Sequence, residues 1–119
     1  MLALVIDDEP ALRTVCQRLL GAMGHQCETA ANVAEAVALT ESHVFDLIIC
    51  DYRLGHETAD DVIAALRAAA PKQVAAIVLA TGDSSGPDVS SLARENDLGT
   101  ISKPFGRAEL QALTETLAG

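Results

Sequence analysis

Three apolar runs punctuate the chain, and each ends abruptly in polar chemistry. Leu2 to Ile6 stops at Asp7-Asp8-Glu9-Pro10, Leu47-Ile48-Ile49-Cys50 runs into Asp51, and Ala75 to Ala80 gives way to Thr81-Gly82-Asp83-Ser84-Ser85-Gly86-Pro87. Runs of this length, bounded by polar residues, read as strands buried on both faces, as in a parallel sheet. Gln26 to Ala30 is half-polar and suits a sheet edge. Gly99 to Ser102 is a short fifth strand that leaves through Lys103-Pro104-Phe105.

Between the strands the spacing changes from continuous to helical. From Pro10, Leu12, Cys16, Leu19, Leu20 and Met23 form a stripe that Gly21 and Gly24 close; Pro10 suits a first helical turn, and the acidic residues before it favour the dipole's positive end. Asn32 can cap a second helix carrying Val33, Ala36, Val37 and Leu39 to about His43. A loop from Tyr52 to Glu57 leads to a third helix through Val62, Ile63, Leu66 and Ala69, closed by Pro71. A fourth, from about Asp88 to Glu95, has few apolar contacts (Val89, Leu92, Ala93) and is expected to be the most mobile. Leu110, Leu113 and Leu117 stripe the last. Five strand-helix units predict an α/β fold of three layers with right-handed crossovers.

Composition narrows the class. With 119 residues, of which half are hydrophobic but only three aromatic, the chain reads as one domain over residues 1–119 with a core of Leu, Val, Ile and Ala. A formal net charge of -9 argues against nucleic acid and against direct contact with an anionic membrane; a divalent cation or a basic protein face is the better match. Cys16, Cys27 and Cys50 are odd in number and set among apolar residues, which predicts buried, reduced thiols and a cytoplasmic setting. The first apolar run meets two aspartates at once, so it is neither a signal core nor a spanning segment.

Parallel strands end along one edge, where ligands of open α/β sheets bind. That edge gathers Asp7 and Asp8 from the first strand, Asp51 from the third, Thr81 from the fourth and Lys103 from the fifth. Carboxylates so close repel one another, and Mg2+, which takes one or two carboxylates, a carbonyl and waters, relieves the repulsion. Asp51 could then attack a phosphoryl group while the metal and Lys103 neutralise its oxygens and Thr81 donates a hydrogen bond.

Asp-Asp-Glu-Pro after the first strand, Asp-Tyr-Arg-Leu at the third, Ala-Thr-Gly-Asp at the fourth and Ser-Lys-Pro-Phe at the fifth resemble the receiver domains of two-component signalling, over Leu2 to Leu117. The resemblance implies a flavodoxin-like sheet of order 2-1-3-4-5 and often a cis peptide before Pro104. It implies Asp51 as phosphoacceptor, Asp8 as principal Mg2+ carboxylate, Asp7 orienting metal waters, the Arg53 carbonyl completing the metal site, and Thr81 and Lys103 on the phosphoryl group. The implied partner is a sensor histidine kinase or a histidine phosphotransfer protein. Two departures stand out: Leu54-Gly55-His56-Glu57-Thr58-Ala59 replaces the usual Met-Pro and glycine, and Thr100 stands where many members carry a switch aromatic. The Asp-Tyr-Arg-Leu form looks most like receivers fused to hybrid sensor kinases.

Other protein classes fit the same residues less well. A haloacid-dehalogenase-like phosphatase wants a second aspartate two residues after its nucleophile, where Arg53 stands. A flavin carrier fails on the acidic first loop, and a nucleotide enzyme lacks Gly-x-x-x-x-Gly-Lys. A receiver-like interaction module that is never phosphorylated is the remaining alternative. Arg53 and Asp83 could pair across the mouth and slow loss of the phosphoryl group. His25, His43 and His56 fall in turns and share no face. Ala11, Val15 and Ala22 lie off the first helix's core stripe and could dock a histidine-bearing helix.

Overall fold

The computed structural model describes residues 1–82 and 86–118; Asp83, and with it the expected pairing to Arg53, lies outside the described residues. The elements alternate as β1 (Leu2–Ile6), α1 (Pro10–Ala22), β2 (Gln26–Ala30), α2 (Val33–Ser42), β3 (Leu47–Asp51), α3 (Ala59–Ala69), β4 (Ile77–Thr81), α4 (Gly86–Asn96), β5 (Gly99–Ser102) and α5 (Arg107–Ala118). All four pairings are parallel and the sheet order is 2-1-3-4-5, the flavodoxin-like order that the resemblance implied. The half-polar β2 lies at one edge and the short β5 at the other.

Alternation along the strands divides the core in two. Leu4, Ile6, Ile48, Cys50, Ile77 and Leu79 face α2, α3 and α4, whereas Ala3, Val5, Leu47, Ile49, Val78 and Ala80 face α1 and α5. Burying each Leu or Ile contributes about 1.5–3 kcal/mol, which is how a core with hardly an aromatic holds three layers. Val89, Leu92 and Ala93 are all buried, so the sparse apolar set of α4 suffices to seat it on the sheet. On α5 the expected stripe is shorter than its spacing: Leu110 is buried, but Leu117 is 48% exposed.

The capping logic holds at α2, where the Asn32 carboxamide oxygen accepts the Glu35 N–H at 2.9 Å. Gly24, at φ +88°, turns the chain out of α1 toward β2, a conformation that costs other residues. Two boundaries differ from expectation. Residues Pro71–Ala76 form a 3-10 turn, so β4 begins at Ile77 rather than Ala75: Pro71 sets the turn's φ and Gln73 anchors it, leaving Ala75 exposed. The Tyr52 to Glu57 loop is also more ordered than read. Arg53–Leu54 pairs antiparallel with Glu57–Thr58 in a tight hairpin, with Gly55 at φ +69°. A cis peptide joins Lys103 to Pro104.

Cys16 and Cys50 are buried and Cys27 is half-buried at the sheet edge; all three are free. Burial pushes the Cys16 thiol up to about 11 and the Cys27 thiol up to about 12, and raises Cys50 as well. No described helix is long and apolar enough to cross a membrane.

Candidate functional site

The C-terminal edge of the sheet assembles from four strand ends. Asp7 follows β1, where its N–H continues the ladder to the Ala30 carbonyl at 3.0 Å. Asp51 is the last residue of β3 and Thr81 the last of β4. Register places Asp51 opposite Ala80 and Thr81 opposite Ser102, and the Lys103 N–H donates to the Thr81 carbonyl at 2.7 Å, so the ladder delivers Lys103 beside them.

Asp7, Asp8 and Asp51 each offer an oxygen within 4.8 Å of the others, in a group graded from buried Asp7 through half-buried Asp51 to exposed Asp8. The Lys103 ammonium lies between two of them, 3.1 Å from Asp7 Oδ2 and 3.0 Å from Asp51 Oδ2. Burial alone would lower the Lys103 pKa, but its hydrogen bonds to Asp51 and Asp7 and their charges outweigh burial and hold it above the usual lysine value. Burial pushes the Asp51 carboxyl up; the bond and charge of Lys103 offset part of this, while the Asp7 charge adds to it. Two carboxylates sharing one ammonium, with a third at the mouth, leave the cleft short of positive charge. Oxygen donors in that arrangement suit a small hard cation.

All the residues predicted at the strand ends share this edge, and Arg53 follows in the adjoining hairpin, exposed, with its guanidinium over the Tyr52 ring at 5.7 Å. Sequence reasoning missed the support beneath Asp7. The Arg13 guanidinium donates to the Asp7 main-chain oxygen at 2.7 Å, and the Glu9 N–H donates to Asp7 Oδ1 at 2.9 Å. Both Asp7 oxygens thus have partners, which fixes its rotamer. The available signal was Arg13 at the first turn of α1, where its side chain reaches back toward the strand end.

Fold and cleft define a doubly wound α/β domain with an acidic, lysine-bridged site at a topological switch point. The chain belongs to the response regulator receiver domain family, whose model matches residues 3–115. Members of that family are phosphoacceptor signalling modules of two-component systems rather than turnover enzymes, and they interact with histidine kinases or phosphotransfer proteins. The alginate biosynthesis transcriptional regulatory protein AlgB of Pseudomonas aeruginosa is 38% identical over 77 residues, which is 65% of this chain and 17% of AlgB. The chain therefore corresponds to a small part of that relative. The chemotaxis protein CheY4 of Vibrio cholerae shares the fold with a TM-score of 0.86 at 24% identity, over 98% of this chain and 97% of the other. The response regulator protein TrrA of Thermotoga maritima, solved in complex with Mg2+-BeF, matches with a TM-score of 0.79 at 28% identity, over 98% and 97%.

Proposed function

We propose that Asp51 is the phosphoacceptor, and that residues 1–119 act as one receiver domain taking a phosphoryl group from a phosphohistidine. The observation that carries this is the Lys103 ammonium 3.0 Å from Asp51 at a site flanked by Asp7 and Asp8. In the transfer an Asp51 oxygen attacks phosphorus, the phosphorus–nitrogen bond breaks, and the imidazole leaves with the bond's electron pair and takes up a proton. Lys103 is placed to follow the new phosphoryl oxygens, exchanging a carboxylate partner for a phosphoryl one. Thr81, at the adjoining strand end, supplies a hydroxyl donor to the same group.

The carboxylates fit Mg2+, as TrrA's complex with Mg2+-BeF suggests by similarity. Asp8 and Asp51 would bind it directly, the Arg53 carbonyl would complete the site, and Asp7, already held by Lys103 and Glu9, would orient metal waters. Bound Mg2+ would neutralise phosphoryl charge. The conformational signal follows from Thr81 and Lys103 re-pairing with the phosphoryl group.

The proposed partner is a sensor histidine kinase or histidine phosphotransfer protein in the cytoplasm. Ala11, Val15 and Ala22 of α1 are exposed, as a docking face requires. The Asp-Tyr-Arg-Leu motif and Thr100 favour a hybrid sensor kinase as the parent chain, whereas AlgB shows that similar receivers also serve transcriptional regulators. Against the rival of an unphosphorylated module, every residue the chemistry needs lies along one edge.

The test is intact mass after incubation with acetyl phosphate and Mg2+, beside Asp51→Asn and a chelator. One phosphoryl group that requires both Asp51 and Mg2+ supports the proposal. No adduct in the wild type, with beryllofluoride and Mg2+ also failing to bind, would favour the interaction module.

A further inference from the structure

The segment between Asp51 and α3 is a closed hairpin beside the carboxylates. Its base is closed by the Ala59 N–H donating to the Tyr52 carbonyl at 2.8 Å, and its arms by the Arg53–Thr58 and Leu54–Glu57 pairs. At the tip Gly55 turns at φ +69° close against Asp8: a Cβ there would lie 4.0 Å from Asp8 Oδ2. The Thr58 N–H donates to Asp61 at 2.9 Å, so these bonds tie the hairpin to itself and to α3.

Glu57 reaches elsewhere. Its Oε1 accepts the Val33 N–H at 3.1 Å, in a half-buried contact across 24 residues of sequence. Val33 is the first residue of α2, so its N–H has no partner within the helix, and the helix dipole favours a carboxylate there. Asn32 and Glu35 satisfy neighbouring amides with their own side chains, through Glu35 N–H to Asn32 and Ala31 N–H to Glu35; the Val33 amide is served from the hairpin. Glu57 pairs with Leu54, adjacent to Arg53, so fixing Glu57 against α2 fixes the register and height of the Arg53 carbonyl.

We infer that Glu57 is a positioning residue for the cation site, clamping the hairpin to the N-terminus of α2 so that the Arg53 carbonyl and the Asp8 flank are set before the cation arrives. This rests on the reading of Arg53 as a metal ligand. It assigns the clamp to the hydrogen bond and not to the charge of Glu57, which separates it from simple electrostatic attraction of a cation.

The test is Mg2+ affinity by calorimetry, with fluorescence of Tyr52, the chain's one tyrosine in the absence of tryptophan, as a second readout. Glu57→Ala is expected to weaken Mg2+ binding by about 3- to 10-fold, while Glu57→Gln, whose amide oxygen still accepts the Val33 N–H, stays within 2-fold of wild type. Val33→Pro removes the donor where proline is tolerated, and adding Glu57→Ala to it should cost little more. Equal losses in Glu57→Ala and Glu57→Gln, or additive losses in the double variant, would overturn the clamp. Unchanged affinity in Glu57→Ala would overturn it too, while leaving the metal site standing. If the wild type itself binds no Mg2+, the metal reading falls, and the clamp with it.

Discussion

Two polar clusters at opposite ends of the sheet are built on opposite principles. Near one end, Gln73 is 7% exposed and fully satisfied: its Oε1 accepts the Phe45 N–H at 3.0 Å, and its Nε2 donates to the Thr40 and His43 carbonyls at 2.9 Å each. At the C-terminal edge Asp7 and Asp51 share one ammonium while Asp8 adds a third carboxylate. The amide cluster is neutral and saturated, so it holds the end of α2 and the loop after it in place and has no further chemistry to offer. The carboxylate cluster is short of positive charge, so its energy falls when a cation enters, and only then can it accept a phosphoryl group. Incomplete neutralisation, rather than burial, marks the functional cluster.

The largest effect that would break this contrast is at the acceptor. Asp51→Asn should abolish phosphoryl uptake from acetyl phosphate, read by intact mass, whereas Gln73→Ala should leave uptake unchanged at temperatures where the variant is folded. Lys103→Ala should slow uptake by about 10²-fold, the usual loss when one preorganised charge donor is removed, yet leave Mg2+ binding intact or tighter because the competing ammonium is gone. Since the folded-state pKa of Lys103 is raised, its contribution to stability is in full force below the ordinary lysine value. It is lost as pH rises through the elevated folded value. Urea melts of wild type and Lys103→Ala should therefore differ equally at pH 6 and 8 and converge in strong alkali.

Stability sharpens the same comparison. Gln73→Ala strands one N–H and two carbonyls, and should cost about 3 kcal/mol in urea unfolding. Asp51→Asn should act in the opposite direction. The folded-state pKa of Asp51 is raised, so ionisation opposes folding: the native state is favoured in acid and loses that advantage as pH rises through the folded value. At pH 7 with chelator the neutral amide should make the variant the more stable of the two in urea, a gain that shrinks in acid and when Mg2+ is added to both proteins. The smallest effect concerns the thiols: with Cys16 held near 11 and Cys27 near 12, alkylation at pH 8 should be slow in the folded protein and rapid in urea.

The functional cluster was legible in the sequence because its residues sit where continuous apolar runs stop, and parallel topology brings such stops to one edge. Asp51 after Leu47–Cys50 and Lys103 after a short strand needed only strand ends to be counted. Gln73 was not legible. Its partners are backbone groups at the end of α2 and in the loop after it, some 30 residues earlier, and no residue pattern announces an amide that will be satisfied by main chain. The same ignorance of main-chain partners moved the start of β4 from Ala75 to Ile77. It also hid the hairpin at Arg53, where Gly55 was visible as a letter but its place beside Asp8 depends on how two loops meet.

The central claim is that Asp51, among three neighbouring carboxylates, receives the phosphoryl group. It is tested most directly by borohydride reduction of the freshly phosphorylated protein, which converts an aspartyl phosphate to homoserine, followed by peptide mapping. Conversion confined to position 51 is the expected result. Conversion at Asp7 or Asp8, or a phosphoryl group that survives borohydride on a histidine or hydroxyl side chain, would contradict it.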